Sequence, residues 1–238
     1  MKFGMLLAVA AALLVSSVAM AAPAPFTENF ESYAIGTFAS TANLINRDAL
    51  ATISVAGDAT NKFLSWSADN HLYIAGSATS ETYDFDLRVS MSVNGDQWHQ
   101  RLQIGWNDGT GLQQAGIGLS PTGVAVTGVD KFVGLSGFSV SGLTAYNTWT
   151  NLRVQKTGNT VAVKGWLLGT EEPAAWGSTG VAANWAGFGP ATDGEAGLRF
   201  KWEPGMKVDN ISFAVPEPAS MSLLAIGGLL ALRRRGSK

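Results

Sequence analysis

The chain has no cysteine among its 238 residues. That single absence removes disulfides, thiolate metal ligands and a cysteine nucleophile, so stability must come from a hydrophobic core. Histidine occurs only twice, as His71 and His99, and neither has a serine or cysteine partner in a recognisable catalytic context. No phosphate loop, dinucleotide fingerprint or metalloprotease motif is present. Long 3.6-residue apolar periodicity is missing between Phe26 and Phe213, which excludes a helical bundle. Positive charge is scarce in the same stretch. Setting aside Lys2, Arg233, Arg234, Arg235 and Lys238 with the acidic Glu217 leaves eleven basic residues against seventeen acidic ones. A net charge of −6 with no basic aromatic patch argues against nucleic acid as a partner.

Apolar runs are confined to the two ends. Lys2 precedes an almost wholly apolar stretch from Met5 to Val15, and Ala19-Met20-Ala21 supplies small residues before Ala22-Pro23. This is the layout of a secretory signal helix over 1–21, cut by signal peptidase after Ala21. At the other end, Ala219 to Leu232 carries no charge, and Arg233, Arg234 and Arg235 follow it. Fourteen residues are few for a transmembrane helix, which needs about 20, so this span depends on its flanks. The arginines place its C-terminus in the cytoplasm and the preceding domain outside. Ahead of the span, Val215-Pro216-Glu217-Pro218 reads as an extended stretch that holds a recognisable peptide clear of domain and bilayer.

Pro-Glu-Pro, an apolar segment and a terminal arginine cluster together resemble the PEP-CTERM sorting tail, here residues 215–238. The resemblance implies that exosortase, a membrane transpeptidase of bacteria that make extracellular polysaccharide, is a partner during export. The protein would be held briefly at the inner membrane, then released to the cell surface or matrix of a Gram-negative-type bacterium. The resemblance names Val215, Pro216, Glu217, Pro218, Arg233, Arg234 and Arg235 as the sorting signal.

The remaining 22–214 suits one β domain. Its glycines are scattered between short runs of Val, Ile, Thr, Phe and Trp, the pattern of a β-sandwich or jelly roll. Strands are predicted near 26–32, 50–55, 62–66, 71–75, 82–93, 98–106, 114–119, 122–127, 149–156, 160–167, 195–202 and 206–214. A long loop is predicted over 168–194. Alternation in 82–93 and 98–106 predicts a hairpin turning at Asn94–Gln97, with Val89 opposite Leu102, Leu87 opposite Ile104 and Phe85 opposite Trp106. A second hairpin is predicted from Leu152 through Thr157-Gly158-Asn159 to Trp166.

Trp149-Thr-Asn-Leu-Arg-Val, Val-Ala-Val-Lys-Gly-Trp166, Gly169-Thr-Glu-Glu-Pro-Ala-Ala-Trp176, Phe30-Glu31 and Val208-Asp209-Asn210-Ile211-Ser212-Phe213 resemble the concanavalin A-like (laminin-G-like) jelly roll. This implies an all-β fold of two curved antiparallel sheets with the first and last strands adjacent. The family contains lectins, glycan-binding modules and glucanases, and the fold does not choose among them.

Three chemistries remain to be placed. Glucanases of this fold carry alternating carboxylates on one strand face. In Glu81-Thr-Tyr-Asp84-Phe-Asp86, Asp84 and Asp86 share a face, but Glu81 is out of phase and Arg88 takes the next place. No catalytic set is assigned on that basis, and a glycan-active hydrolase is the alternative to a binding protein. Asp84, Asp86, Arg88, His99, Arg101, Gln103 and Trp166 are the candidate glycan-binding residues, polar groups beside an aromatic platform as sugars require. Lys164 accompanies Trp166, and Trp176 and Trp185 are further aromatic candidates. Glu28 and Asp209 alternate in phase with apolar neighbours on strands expected to be adjacent. A buried carboxylate needs a partner, and one structural calcium ion or hydrogen bonds from backbone amides or an arginine would each serve.

Overall fold

The computed structural model describes residues 24–46, 52–68, 70–75, 84–94, 101–103, 116–127, 132–182, 198–202 and 204–215. Every regular element among them is a strand. The first six are β1 (Phe26–Glu28), β2 (Gly36–Thr37), β3 (Leu44–Asn46), β4 (Ile53–Gly57), β5 (Lys62–Trp66) and β6 (Asn70–Ile74). The next six are β7 (Phe85–Ser92), β8 (Arg101–Gln103), β9 (Gly116–Ser120), β10 (Gly123–Thr127), β11 (Phe132–Val133) and β12 (Phe138–Ser139). The last five are β13 (Thr150–Thr157), β14 (Thr160–Leu167), β15 (Ser178–Ala182), β16 (Arg199–Trp202) and β17 (Lys207–Ala214).

They form two antiparallel sheets, an all-β sandwich. The larger sheet runs β11-β15-β14-β13-β7-β17-β5-β4-β2, with β1 also paired to β17. The smaller runs β12-β10-β9-β8-β16-β6-β3. First and last strands are neighbours, Phe26 opposite Phe213 and Glu28 opposite Ile211. The alternation read from the sequence sets the faces. Phe85, Leu87, Val89 and Met91 are buried in one core with Leu152, Val154, Val161 and Val163 of the same sheet and Leu72, Ile117 and Phe200 of the other. Phe213 stacks on both Phe26 and Phe85, with centroids 6.0 and 6.1 Å away. Such aromatic contacts add to the area they bury.

The hairpin over 150–167 forms as predicted, with Val154 opposite Val163 and Thr157 opposite Thr160. Gly158 adopts φ of 55° in its turn, a conformation glycine reaches without steric cost. The predicted hairpin of 82–93 with 98–106 does not form. Both edges of β7 are taken, by β13 (Leu87 opposite Val154) and by β17 (Leu87 opposite Phe213). β8 lies in the other sheet, with Leu102 opposite Phe200 and Ile117. Alternation fixes which residues face the core; it does not fix which sheet a strand joins, and β7 and β8 belong to different ones. Inside the predicted loop 168–194, Ser178–Ala182 forms β15.

β17 runs to Ala214 opposite Asp86, and Val215 still packs against the core. The sandwich therefore extends to the residue before Pro216, so no spacer separates the folded domain from the Pro-Glu-Pro stretch. The predicted signal helix, the predicted transmembrane helix and Pro216, Glu217, Pro218 and Arg233–Arg235 lie outside the described residues. Among those described, no helix is long and apolar enough to cross a membrane.

Candidate functional site: a clasped loop and its groove

Cross-strand register places Arg88, Arg153 and Lys164 in one row over β7, β13 and β14, on the face turned away from the core. Three like charges side by side repel one another, and the chain answers with Glu172. Its Oε1 lies 2.7 Å from Arg153 Nη1 and 2.7 Å from Lys164 Nζ, and its Oε2 lies 3.0 Å from Arg88 Nη1. Hydrogen bonding from Lys164 and Arg153, with the charge of Arg88, outweighs desolvation and holds the Glu172 carboxyl at about 2. Arg153 also grips Asp86 with two parallel bonds, Nε to Oδ1 at 2.9 Å and Nη2 to Oδ2 at 2.6 Å. That bidentate bond, ahead of the one to Glu172, raises its pKa further despite desolvation.

The loop after β14 is thus fastened down. Gly169 turns it with φ of 86°, and the Thr170 amide and hydroxyl both donate to the Leu167 carbonyl, at 3.1 and 2.9 Å. Lys164 Nζ also donates to the Pro173 carbonyl at 2.9 Å. Trp176 lies with its ring centroid 4.8 Å from Lys164 Nζ and 5.3 Å from Arg153 Cζ, a double cation–π contact. Gly177 closes the segment where a Cβ would sit 2.3 Å from the Phe138 ring.

Between this loop, the end of β14 and residues 138–141 lies a groove of about 360 Å³. Trp166, half-buried, lines it from the face opposite Val161 and Val163. Thr170, Glu171, Ser139 and Ser141, all exposed residues, bring hydroxyls and a carboxylate to its lining. An aromatic wall beside a few fixed polar groups is the chemistry of a small-molecule or sugar-unit site.

The expected glycan array is divided by the fold. Asp84, Asp86, Arg88 and Trp166 belong to the larger sheet. Arg101 and Gln103 lie on β8 of the smaller sheet, opposite Lys201 and Arg199. The array is split between two sheets, because the hairpin that would have joined them is absent. Asp84 Oδ1 accepts the Gly158 amide at 2.7 Å, capping the β13–β14 turn, and lies 3.8 Å from buried Lys156 Nζ. Desolvation lowers the Lys156 pKa against the opposing charge of Asp84. Asp86 is engaged by Arg153, and Asp84 by the turn it caps. His99 and Trp185 lie outside the described residues. Sequence reasoning missed Arg153 and Glu172 because their register partners sit on three strands and a loop; the Glu171-Glu172-Pro173 run was their only local signal.

The expected cation pair is also separated. A β-bulge between Asp209 and Ser212, with Asn210 at φ of 50°, shifts the phase of β17. Asp209 lies opposite Ser90 on the polar face, whereas Phe213 lies opposite Leu87 on the core face. The Glu28 carboxylate turns back on its own chain, accepting the amides of Asn29 and Phe30 at 3.1 Å each and the Tyr33 hydroxyl at 2.8 Å. Asp209 accepts the Asn210 amide at 2.7 Å and its side-chain amide at 2.8 Å. Glu28 and Asp209 thus do not fit a shared calcium ion, and among the described residues no three His, Asp or Glu converge as metal ligands.

Residues 214–235 match the model of the PEP-CTERM protein-sorting motif. That tail marks an exported, exosortase-processed protein, transiently membrane-anchored before it reaches the surface or exterior. No curated protein matches the chain. Among solved structures it is similar to domain 4 of AbnA, a GH43 extracellular arabinanase from Geobacillus stearothermophilus, in complex with arabinotriose. Identity there is 12%, coverage 82% of this chain and 94% of that one, and TM-score 0.46. It is also similar to a protein of unknown function from Shewanella oneidensis MR-1 (13%, 87% and 92%, TM-score 0.43). A putative beta-glucanase from Mycobacterium abscessus is a third (13%, 79% and 99%, TM-score 0.40).

Proposed function

We propose that this protein is an exosortase-sorted surface or matrix component. Its jelly-roll, concanavalin A-like domain associates with extracellular polysaccharide without catalysing a reaction on it. The PEP-CTERM match at 214–235 is the observation that carries the reading. Signal peptidase removes 1–21, the tail holds the inner membrane, and exosortase then releases the domain. Changing Pro216 and Glu217 to alanine is expected to leave full-length protein in the inner-membrane fraction of an exosortase-positive host, followed by immunoblot. Release of a shorter form at the wild-type rate would make the tail an ordinary anchor.

The glycan contact is the groove beside Trp166. A pyranose ring laid on the indole would place its hydroxyls near Glu171 and the serines of residues 139 and 141. Affinity electrophoresis through the host's own polysaccharide, with β-glucan and polygalacturonate gels beside it, tests this. Trp166→Ala is expected to lose retention about tenfold or more, the scale of one stacked aromatic contact. Wild-type protein that migrates freely in every gel would reject glycan binding and leave the sorting reading intact. Reducing ends released by wild-type protein and lost in Asp84→Asn would instead support the hydrolase alternative.

A further inference from the structure

We infer that one end of the folded sandwich is a docking face for the processing enzyme, so that exosortase engages this substrate as a seated domain and not as a free peptide. The inference rests on the sorting reading and extends it to a surface. Phe213, in the second-last position of β17, is 1% exposed between Phe26 and Phe85. Val215 packs on the same core, and the motif match begins at residue 214. Fold and sorting signal therefore overlap by two residues.

Geometry makes the overlap consequential. Proline keeps the residue before it extended and ends strand pairing. Val215 to Ala219, where the apolar run begins, reaches at most about 14 Å. The headgroup layer takes up about 5–7 Å of that. Any enzyme that reads Pro216 to Pro218 at the membrane boundary meets the end of the sandwich within a few ångströms.

That end is well defined. It comprises the start of β1, the end of β17 and the turns at 57–61 and 157–160. Its exposed residues are short, among them Thr27, Asn29, Ala59, Thr157, Asn159 and Ala214. Asp84 is folded onto the Gly158 amide and Asp58 onto the amides of Thr60 and Asn61. Two capped turns flanking the chain exit give a rigid surface suited to a protein partner, and they bring no basic cluster to bind an anionic lipid surface. Trp166 lies opposite Asn151 and Ser90, four residues along β14 from Ala162 at the level of Ala214. The groove therefore sits about 13 Å up the sheet from the exit and stays open while the domain is docked.

The test is a pulse–chase of the full-length protein in an exosortase-positive host. Thr27→Trp with Asn159→Trp is expected to slow appearance of the shorter form about fivefold, the effect of obstructing one interface contact. Thr144→Trp, on an exposed loop at the opposite end, should process at the wild-type rate. A six-residue Gly-Ser spacer between Val215 and Pro216 should give the altered and unaltered ends one common rate. Equal rates without the spacer would overturn the inference, as would slow processing that the spacer does not correct. A wild-type chain that is never shortened would instead defeat the sorting reading.

Discussion

Glu172→Ala is expected to lower the melting temperature of the domain by roughly 5–10 °C, corresponding to about 2–3 kcal/mol in a domain of this size. The carboxylate is the common partner of Arg88, Arg153 and Lys164. Alanine leaves three cations in adjacent register, and Lys164, with its side chain 7% exposed, loses its nearest counter-charge. Breaking a buried pair costs more than the pair contributes, because the surviving charge stays desolvated. Glu172→Gln should recover part of the loss by accepting hydrogen bonds without the charge. The pH dependence follows from the same contacts. A carboxyl depressed to about 2 in the fold supplies stability that is fully present above its unfolded value near 4.5. That stability is lost as pH falls through about 2. Acid unfolding of wild type should therefore be steeper below pH 4 than that of Glu172→Gln. Because the same carboxylate fastens the loop, both variants should also weaken retention in polysaccharide gels. Loss of stability without loss of retention would separate the clasp from the groove.

The sequence made the strand faces legible, and the partners of those strands were less so. Period-2 alternation placed Leu87 and Val89 in the core correctly, because a residue's face is a local property of the backbone. Pairing is not local. Leu87 facing Val154 and Phe213 satisfies the same alternation as Leu87 facing Ile104, so nothing in 82–106 distinguished a hairpin from a crossover. The contiguous hairpin at 150–167 was readable because a two-residue turn, Gly158-Asn159, leaves its two strands little else to pair with. Strands of two or three residues such as β2, β11 and β12 are too short for periodicity to register. β15, Ser-Thr-Gly-Val-Ala, carries little of the β-branched and aromatic signal. In the site, Trp166 and Lys164 were placed correctly on one face. Arg101 and Gln103 were misplaced by the same pairing error that joined β7 to β8.

The largest pH effect near neutrality is expected from Asp209. Alternation put it with the apolar set, but one extra residue in β17 reverses the phase after Asn210, whose side chain tolerates the left-handed conformation. Asp209 is 5% exposed. Desolvation, opposed by the Asn210 amide and reinforced by the charge of Glu31, raises it to about 6. A carboxyl whose folded value lies above its unfolded one binds its proton more tightly in the native state. Its contribution is therefore most favourable below about pH 4 and is lost as pH rises through 6. Wild type should lose about 2–3 kcal/mol across that window. Asp209→Asn should be flat there and more stable than wild type at pH 7. Thermal melts of both proteins between pH 4 and 7 measure the difference, and parallel curves for wild type and Asp209→Asn would show that burial at the bulge does not hold the proton on Asp209.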